Sequence, residues 1–153
     1  MAERPFGAAF WAMLETLHRE IEAVLAGLPG EALNWRPTDG ANSLYALVTH
    51  AAGAERFWLG EVVGGQPQRR DREAEFRAFG YDAEALLRVL GEAGALSRQV
   101  LTALRPEAWA EPRAARGREY TVGWCVLHTI SHTALHLGHM QLTRQLWEAE
   151  NLL

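Results

Sequence analysis

The chain of 153 residues contains no lysine, and all fifteen of its basic residues are arginine. That absence excludes Schiff-base chemistry, a Walker-type phosphate clamp and a lysine general base, each of which needs the ε-amino group. Cysteine is nearly missing too. The one present, Cys125, can form neither an intrachain disulfide nor a Cys-x-x-Cys redox or zinc pair. No apolar run is long enough to span a bilayer, and the opening Met1-Ala-Glu-Arg-Pro-Phe6 lacks the apolar stretch of a secretory signal. With the single thiol, these features predict a cytoplasmic protein with no membrane partner. Positive charge is not in excess: fifteen arginines face nineteen acidic residues, the net charge is -4, and no segment carries a dense basic patch. Binding to a phosphate backbone requires such a patch, so no nucleic-acid partner is expected. The rest is 48% hydrophobic and 22% charged, the balance of a soluble globular chain. Its length suits one domain, residues 1–153, with one core.

Strand-like alternation and internal repeats are absent, and four long helical patterns account for most of the chain. The first begins near Pro5 and spaces Phe10, Leu14, Leu17, Ile21, Val24 and Leu28 by threes and fours, stopping at Pro29-Gly30. After the helix-breaking loop Asn34–Gly40, Ser43 offers an N-cap for a second run through Leu44, Leu47, Val48, Ala51, Trp58 and Val62, closed by Gly64-Gly65. An arginine-rich segment, Gln66–Tyr81, has room for one short helix around Glu73–Phe79. Asp82 then caps a third run carrying Leu86, Leu90, Ala93, Ser97, Val100 and Leu104 on its inner face. A polar stretch, Arg113–Glu119, leads to Thr121, the N-cap of a fourth helix reaching about Ala149. A parallel neighbour in a bundle needs a crossover along the bundle's length, and Gln66–Tyr81 is the segment long enough to make it. The predicted fold is therefore all-α, an up-down-down-up four-helix bundle with the second and fourth helices antiparallel.

Four of the six histidines, His128, His132, His136 and His139, fall in one short window of the fourth helix. At about 100° per residue they share an arc of roughly 80°, with Cys125 on the same stripe. His132-Thr-Ala-Leu-His136 is a two-histidine metal clip, which one helix alone cannot close into a site. The remaining candidates are His18 and His50, and His50 lies near the inward stripe of Leu47 and Ala54 on the antiparallel second helix. Three neutral imidazoles on one divalent ion leave a position for water or substrate, the pattern of a catalytic site. Two histidines a turn apart on a buried helix commonly just hydrogen-bond to backbone or solvent. Four on one stripe facing another inward histidine favour a metal. His128 and His139 read as supporting or pocket-lining groups.

Other patterns carry less. Glu15-Thr-Leu-His18 has the Glu-x-x-His form of di-iron bundles, but a second such motif and further glutamates are missing. Neither His-Glu-x-x-His nor Cys-x-x-Cys-His occurs, which leaves a zincin protease and c-type haem unsupported. Glu55 and Glu61 are possible bases, though an acidic residue there is more often paired with arginine or solvated. Cys125 reads as a small buried thiol rather than a nucleophile or ligand, and the six tryptophans as core or pocket walls.

With these residues in place, the chain resembles the DinB-like superfamily, metal-binding four-helix bundles that include the DinB and YfiT types. Asn42-Ser-Leu-Tyr-Ala-Leu-Val-Thr-His50-Ala-Ala-Gly-Ala-Glu55-Arg-Phe-Trp58 is similar to the family's second helix. His128-Thr-Ile-Ser-His132-Thr-Ala-Leu-His136-Leu-Gly138-His139-Met-Gln is similar to its fourth. In that pattern His50, His132 and His136 match the three metal ligands. The family often has another polar residue at the place of His139 and a second histidine at the place of Leu135, so the ligand set is not extended. The resemblance implies the same bundle topology and commonly a homodimer, which agrees with six tryptophans being more than one modest core hides. It also implies a metal-dependent enzyme, foremost a transferase moving a low-molecular-weight thiol of the bacillithiol or mycothiol type to an electrophilic substrate. The alternatives are a metal-dependent hydrolase and a non-catalytic, stress-related dimer whose metal staples two helices. Zinc is the preferred ion for its ligand tolerance, and nickel or iron also accept three imidazoles.

Overall fold

Three long helices begin where a short polar side chain takes up a backbone N–H that the first turn leaves unpaired. Ser43 Oγ accepts from Ala46 N, Asp82 Oδ1 from Glu84 N and Thr121 Oγ1 from Trp124 N. The computed structural model describes residues 5–151. Its helices are α1 (Ala8–Leu25), α2 (Gly30–Asn34), α3 (Leu44–Glu55), α4 (Arg72–Phe76), α5 (Ala83–Ala103) and α6 (Val122–Asn151). A π-helical segment, Arg56–Val63, continues α3, and a 3₁₀ turn, Pro106–Ala110, precedes β1 (Pro112–Ala115) and β2 (Arg118–Thr121).

The four long helices bury their apolar stripes on one another, α1 against α5 and α6, and α3 against α5 and α6. Chain direction follows from which ends share a cluster. Leu14 near the start of α1 packs with Leu59, Leu101 and Val126, from the end of the second helix, the end of α5 and the start of α6. Ile21 and Val24 from the end of α1 pack with Leu44, Leu86, Leu90 and Met140, from the starts of α3 and α5 and the far part of α6. The order is thus up-down-down-up, with α3 antiparallel to α6. Leu14, Ile21, Leu86 and Leu90 are all at most 1% exposed, and each such side chain contributes roughly 1.5–3 kcal/mol, so the core rather than helix propensity holds the bundle.

Several boundaries differ from the sequence expectation. α1 starts at Ala8 rather than Pro5 and ends at Leu25, because Gly27 takes a φ of 72° and turns the chain out of the helix, leaving Leu28 beyond it. α2 lies between the stop at Pro29-Gly30 and the expected loop Asn34–Gly40, meeting that loop only at Asn34, which clamps the backbone of Gly80, donating to Gly80 O at 2.8 Å and accepting from Gly80 N at 3.1 Å. In the last turn of α5 the buried side chain is that of Leu101, while Val100, expected on the inner face, is half-buried. The second run changes at Arg56 to i→i+5 bonding, as in Gly64 N to Leu59 O at 2.9 Å. Two turns are too few for hydrophobic periodicity to separate the two helix types. The stretch Arg113–Glu119, read as a polar loop with no strand, lies in a two-stranded antiparallel hairpin that pairs Ala115 with Arg118. Its strands are only four residues each, below the length at which alternation shows.

Candidate metal centre

Because α3 and α6 run antiparallel side by side, the start of α3 meets the middle of α6, and His50 comes to face His132 and His136. One ring nitrogen from each lies within 4.8 Å of the other two. His132 Nε2 stands 3.2 Å from His50 Nε2 and 3.2 Å from His136 Nε2. His50 is buried, while His132 and His136 are half-buried, so the cluster is closed on the bundle side and open along α6.

Burial keeps His132 and His136 neutral. Burial, reinforced by the charges His136, His50 and His128 would carry, pushes His132 down to about 3. Burial and then His50 and His139 push His136 down to about 4. Each of these two rings is therefore neutral at neutral pH and has one nitrogen free of a proton, the state a metal ligand needs. Three imidazole nitrogens bound at about 2.0–2.1 Å to one tetrahedral ion would sit about 3.3–3.4 Å apart. The two 3.2 Å separations to His132, with all three nitrogens within 4.8 Å of one another, fit a single ion, and the three residues could hold it.

Behind His50 stands a carboxylate that the sequence reading did not single out. Glu75 Oε2 accepts from His50 Nδ1 at 2.9 Å, which leaves Nε2 as the bare nitrogen turned to the cluster. Arg70 grips the same carboxylate with Nε at 2.6 Å and Nη2 at 2.8 Å. Burial alone would raise the Glu75 pKa, but the hydrogen bonds from Arg70 and His50 outweigh it and hold the group below its ordinary value. Phe76 stacks on the His50 ring at 4.3 Å. All three residues come from the crossover, and Asp71 Oδ1 fixes its short helix by capping Ala74 N at 2.9 Å. A Cβ at Gly53 would overlap the Glu75 carboxylate, so the crossover can lie this close only where α3 has no side chain. An acidic residue within a short helix of the crossover was the available signal for Glu75, but its partner could be found only by folding.

The other candidates separate from the cluster. His18 is buried and pairs with Glu55 through Nε2 at 2.7 Å, and Ser97 Oγ donates to the other Glu55 oxygen at 2.6 Å. Glu55 is thus neither arginine-paired nor solvated as expected. It closes a polar contact between α1, α3 and α5 and leaves no group free for base catalysis. Glu61 accepts from the backbone N of Gln68 at 2.9 Å. Cys125 is fully buried with Trp58, Val62 and Ala115, and burial raises its thiol to about 11. His128 lies flat on Trp124 at 4.5 Å with its ring 5.5 Å from that of His132, and burial followed by the Arg116 charge lowers its pKa. His139 is exposed, its Nδ1 3.4 Å from that of His136, and it lines a cavity of about 280 Å³ with Pro37, Leu47, Leu142 and Leu146. Of the tryptophans, Trp58 and Trp147 are buried and Trp124 is 41% exposed.

A helical bundle with three convergent imidazoles, one of them backed by a carboxylate, defines a class of metal-competent helical proteins. The sequence profile of the DinB superfamily matches residues 13–140, and the chain belongs to that superfamily. None of the curated proteins matches it significantly. Among solved structures, a conserved protein from Enterococcus faecalis superposes with a TM-score of 0.75 at 17% identity, over 94% of this chain and 98% of that one. A DinB-like protein from Bacillus cereus superposes with a TM-score of 0.72 at 14% identity, over 89% of each chain. At such identities the likeness shows the fold. No helix among the described residues is long and apolar enough to cross a membrane.

Proposed function

We propose that His50, His132 and His136 are the ligands of one divalent ion, zinc before nickel or iron, in an enzyme that transfers a low-molecular-weight thiol of the bacillithiol or mycothiol type to an electrophilic substrate. The observation that carries this reading is the convergence of three ring nitrogens, that of His132 3.2 Å from each of the other two, closed on one side by Glu75 and open on the other. An ion held there would lower the pKa of a thiol or water that it binds and so supply a nucleophile at neutral pH. The chain's part is positional. Glu75 holds His50 in one tautomer, Arg70 keeps Glu75 ionised, and α6 presents the open side to solvent. Glu75 is too tightly paired to serve as a base, which favours a thiolate over a water nucleophile. Exposed His139, placed against His136, is the group that would serve a hydrolase, and this keeps metal-dependent hydrolysis as the second reading. The buried thiol and the lack of a membrane-crossing helix among the described residues support a cytoplasmic, membrane-free setting. Exposed Leu127, Leu135, Leu142 and Leu146 on α6 support a homodimer.

Metal analysis and thiol conjugation together test the proposal. Purified protein should carry one ion per chain, and H50A, H132A or H136A should each lose most of it. An H18Q variant should retain it, despite losing stability at Glu55. Metal-loaded protein should accelerate conjugation of such a thiol to a haloarene, and removing the ion should abolish the gain. Full occupancy in H50A would reject the ligand set. Metal-dependent ester or amide cleavage without thiol conjugation would favour the hydrolase. No turnover with either, and only a lower melting temperature on metal removal, would leave a metal-stapled bundle.

A further inference from the structure

The hairpin between the 3₁₀ turn and α6 reverses through Arg116 and Gly117, with φ of 51° and 71°, the left-handed pair of a two-residue turn. Asn, Asp or Gly normally fills the first of these positions, and an arginine there is held at a cost in backbone energy. Nothing in the turn itself repays that cost. Arg116 is exposed and forms no ion pair among the described residues, unlike Arg113 on β1, which pairs with Glu111. Other surface arginines are unpaired too, but Arg116 differs in its surroundings. Its guanidinium lies over Phe57 at 4.8 Å and over Trp58 at 5.3 Å. Arg70 shares the Phe57 ring at 5.7 Å, and Arg72 lies over Phe76 at 5.0 Å. Burial, then the charges of Arg70 and Arg72, lower the pKa of Arg116 against the opposing effects of Tyr120 and Glu75.

Two short routes join Arg116 to the histidine cluster. One runs over Phe57 to Arg70, whose Nη2 is 3.5 Å from His50 Nδ1. The other runs over Trp58 to His128, 5.2 Å from it, and on to His132. Trp58 is itself buried, so the aromatic floor open to a ligand is formed above it by half-buried Phe57, Tyr120 and His128 and by exposed Trp124, with Tyr120 and Trp124 4.3 Å from each other and each 5.1 Å from Trp58. Steps of 5.3, 5.2 and 5.5 Å lead from Arg116 over Trp58 and His128 to His132, which puts Arg116 at most about 16 Å from the cluster. We propose that Arg116 docks the carboxylate of an elongated anionic substrate that lies along this aromatic floor with its other end at His50, His132 and His136. This deepens the thiol-transfer reading and rests on it for the group at the far end: the substrate class is a thiol that also carries a carboxylate. The planar guanidinium suits the task because it offers a carboxylate two parallel N–H donors while its own face rests on the rings.

Calorimetric titration of the zinc-loaded protein with 6-mercaptohexanoate, 6-mercaptohexan-1-ol and hexanoate tests this assignment. The mercapto acid should bind about tenfold more tightly than the alcohol, the gain of one charge-assisted contact. Arg116→Asn, which suits the left-handed turn, should bring the two within about twofold, whereas Arg19→Gln, removing an equal charge elsewhere, should leave the preference intact. A preference that survives Arg116→Asn, acid and alcohol of equal affinity in the parent protein, or no binding of any of the three, overturns the proposal. If hexanoate binds as well as the mercapto acid and both weaken in Arg116→Asn, the carboxylate site stands and the thiol reading falls.

Discussion

Glu75 divides its carboxylate between Arg70 and His50, and each contact has its own consequence. The ion pair keeps the group charged, and the charge makes His50 a stronger electron-pair donor. Removing such an outer partner of a ligand typically lowers metal affinity about 10–100-fold, and that range is expected for Glu75→Gln in a zinc titration against a chelating dye. Unchanged affinity would place His50 outside the ligand set. The neutral state of His132 and His136 also has a thermodynamic signature. In the unfolded chain His132 and His136 take up protons near 6.5, whereas in the fold they resist until about 3 and about 4. The unfolded state therefore binds more protons across that window, and the metal-free protein loses stability as pH falls below about 6.5. Thermal melts at about pH 7.5 and about pH 5 should show the lower midpoint at the acid end. Cys125 behaves in the opposite sense. Its thiol, raised to about 11, should resist alkylation at mildly alkaline pH until the chain unfolds, and rapid labelling of native protein would contradict its burial.

At the level of elements, two close approaches hold the centre in place. α3 accepts the crossover against Gly53. Alanine normally stabilises a helix by about 0.5–1 kcal/mol over glycine, yet here its Cβ would push the Glu75 carboxylate off His50. Gly53→Ala should leave the helical circular dichroism intact while weakening zinc binding in the same direction as Glu75→Gln, and undiminished binding would show that the crossover can move aside. The second approach is that of α6 to the end of α1. Arg144 Nη1 donates to Ala23 O, Val24 O and Ala26 O at 2.8–3.1 Å, and its Nε bonds Glu148 at 2.7 Å. These carbonyls are the ones a helix end leaves unpaired, so the guanidinium closes α1 across 120 residues of sequence. Arg144→Ala should lower unfolding free energy by about 1–3 kcal/mol in urea without altering metal content.

For the whole molecule, the up-down-down-up order sets what a metal can do. Joining His50 to His132 and His136 ties α3 to α6, neighbours that the chain connects only through α5 and the hairpin. Loss of the ion should therefore lower the melting temperature even if activity is measured separately. The proposed dimer belongs to this scale as well. Leu135, Leu142 and Leu146 are 59%, 54% and 41% exposed along one side of α6, a run of apolar surface that a second copy would cover. Sedimentation should find a dimer that Leu142→Glu converts to monomer, and a monomeric parent protein at micromolar concentration would end that proposal.

Apolar spacing and polar caps at Ser43, Asp82 and Thr121 determine four helices from the sequence alone, because each signal acts within a few turns of its own chain. The length of Gln66–Tyr81 determines their order, because parallel neighbours need a long connection. The clip of His132 and His136 is legible for the same local reason, and His50 follows from the antiparallel pairing of α3 with α6. What depends on distant groups meeting was not legible. Glu75 and Arg70 acquire their role only when the crossover lies on Gly53, and Glu55 finds His18 and Ser97 only across the assembled core. The change to π-helix at Arg56 and the four-residue strands of the hairpin are too short to leave a period in the sequence. The fold places them where Phe57, Trp58 and Arg116 converge beside the histidines, since only tertiary packing decides which rings and charges share one surface.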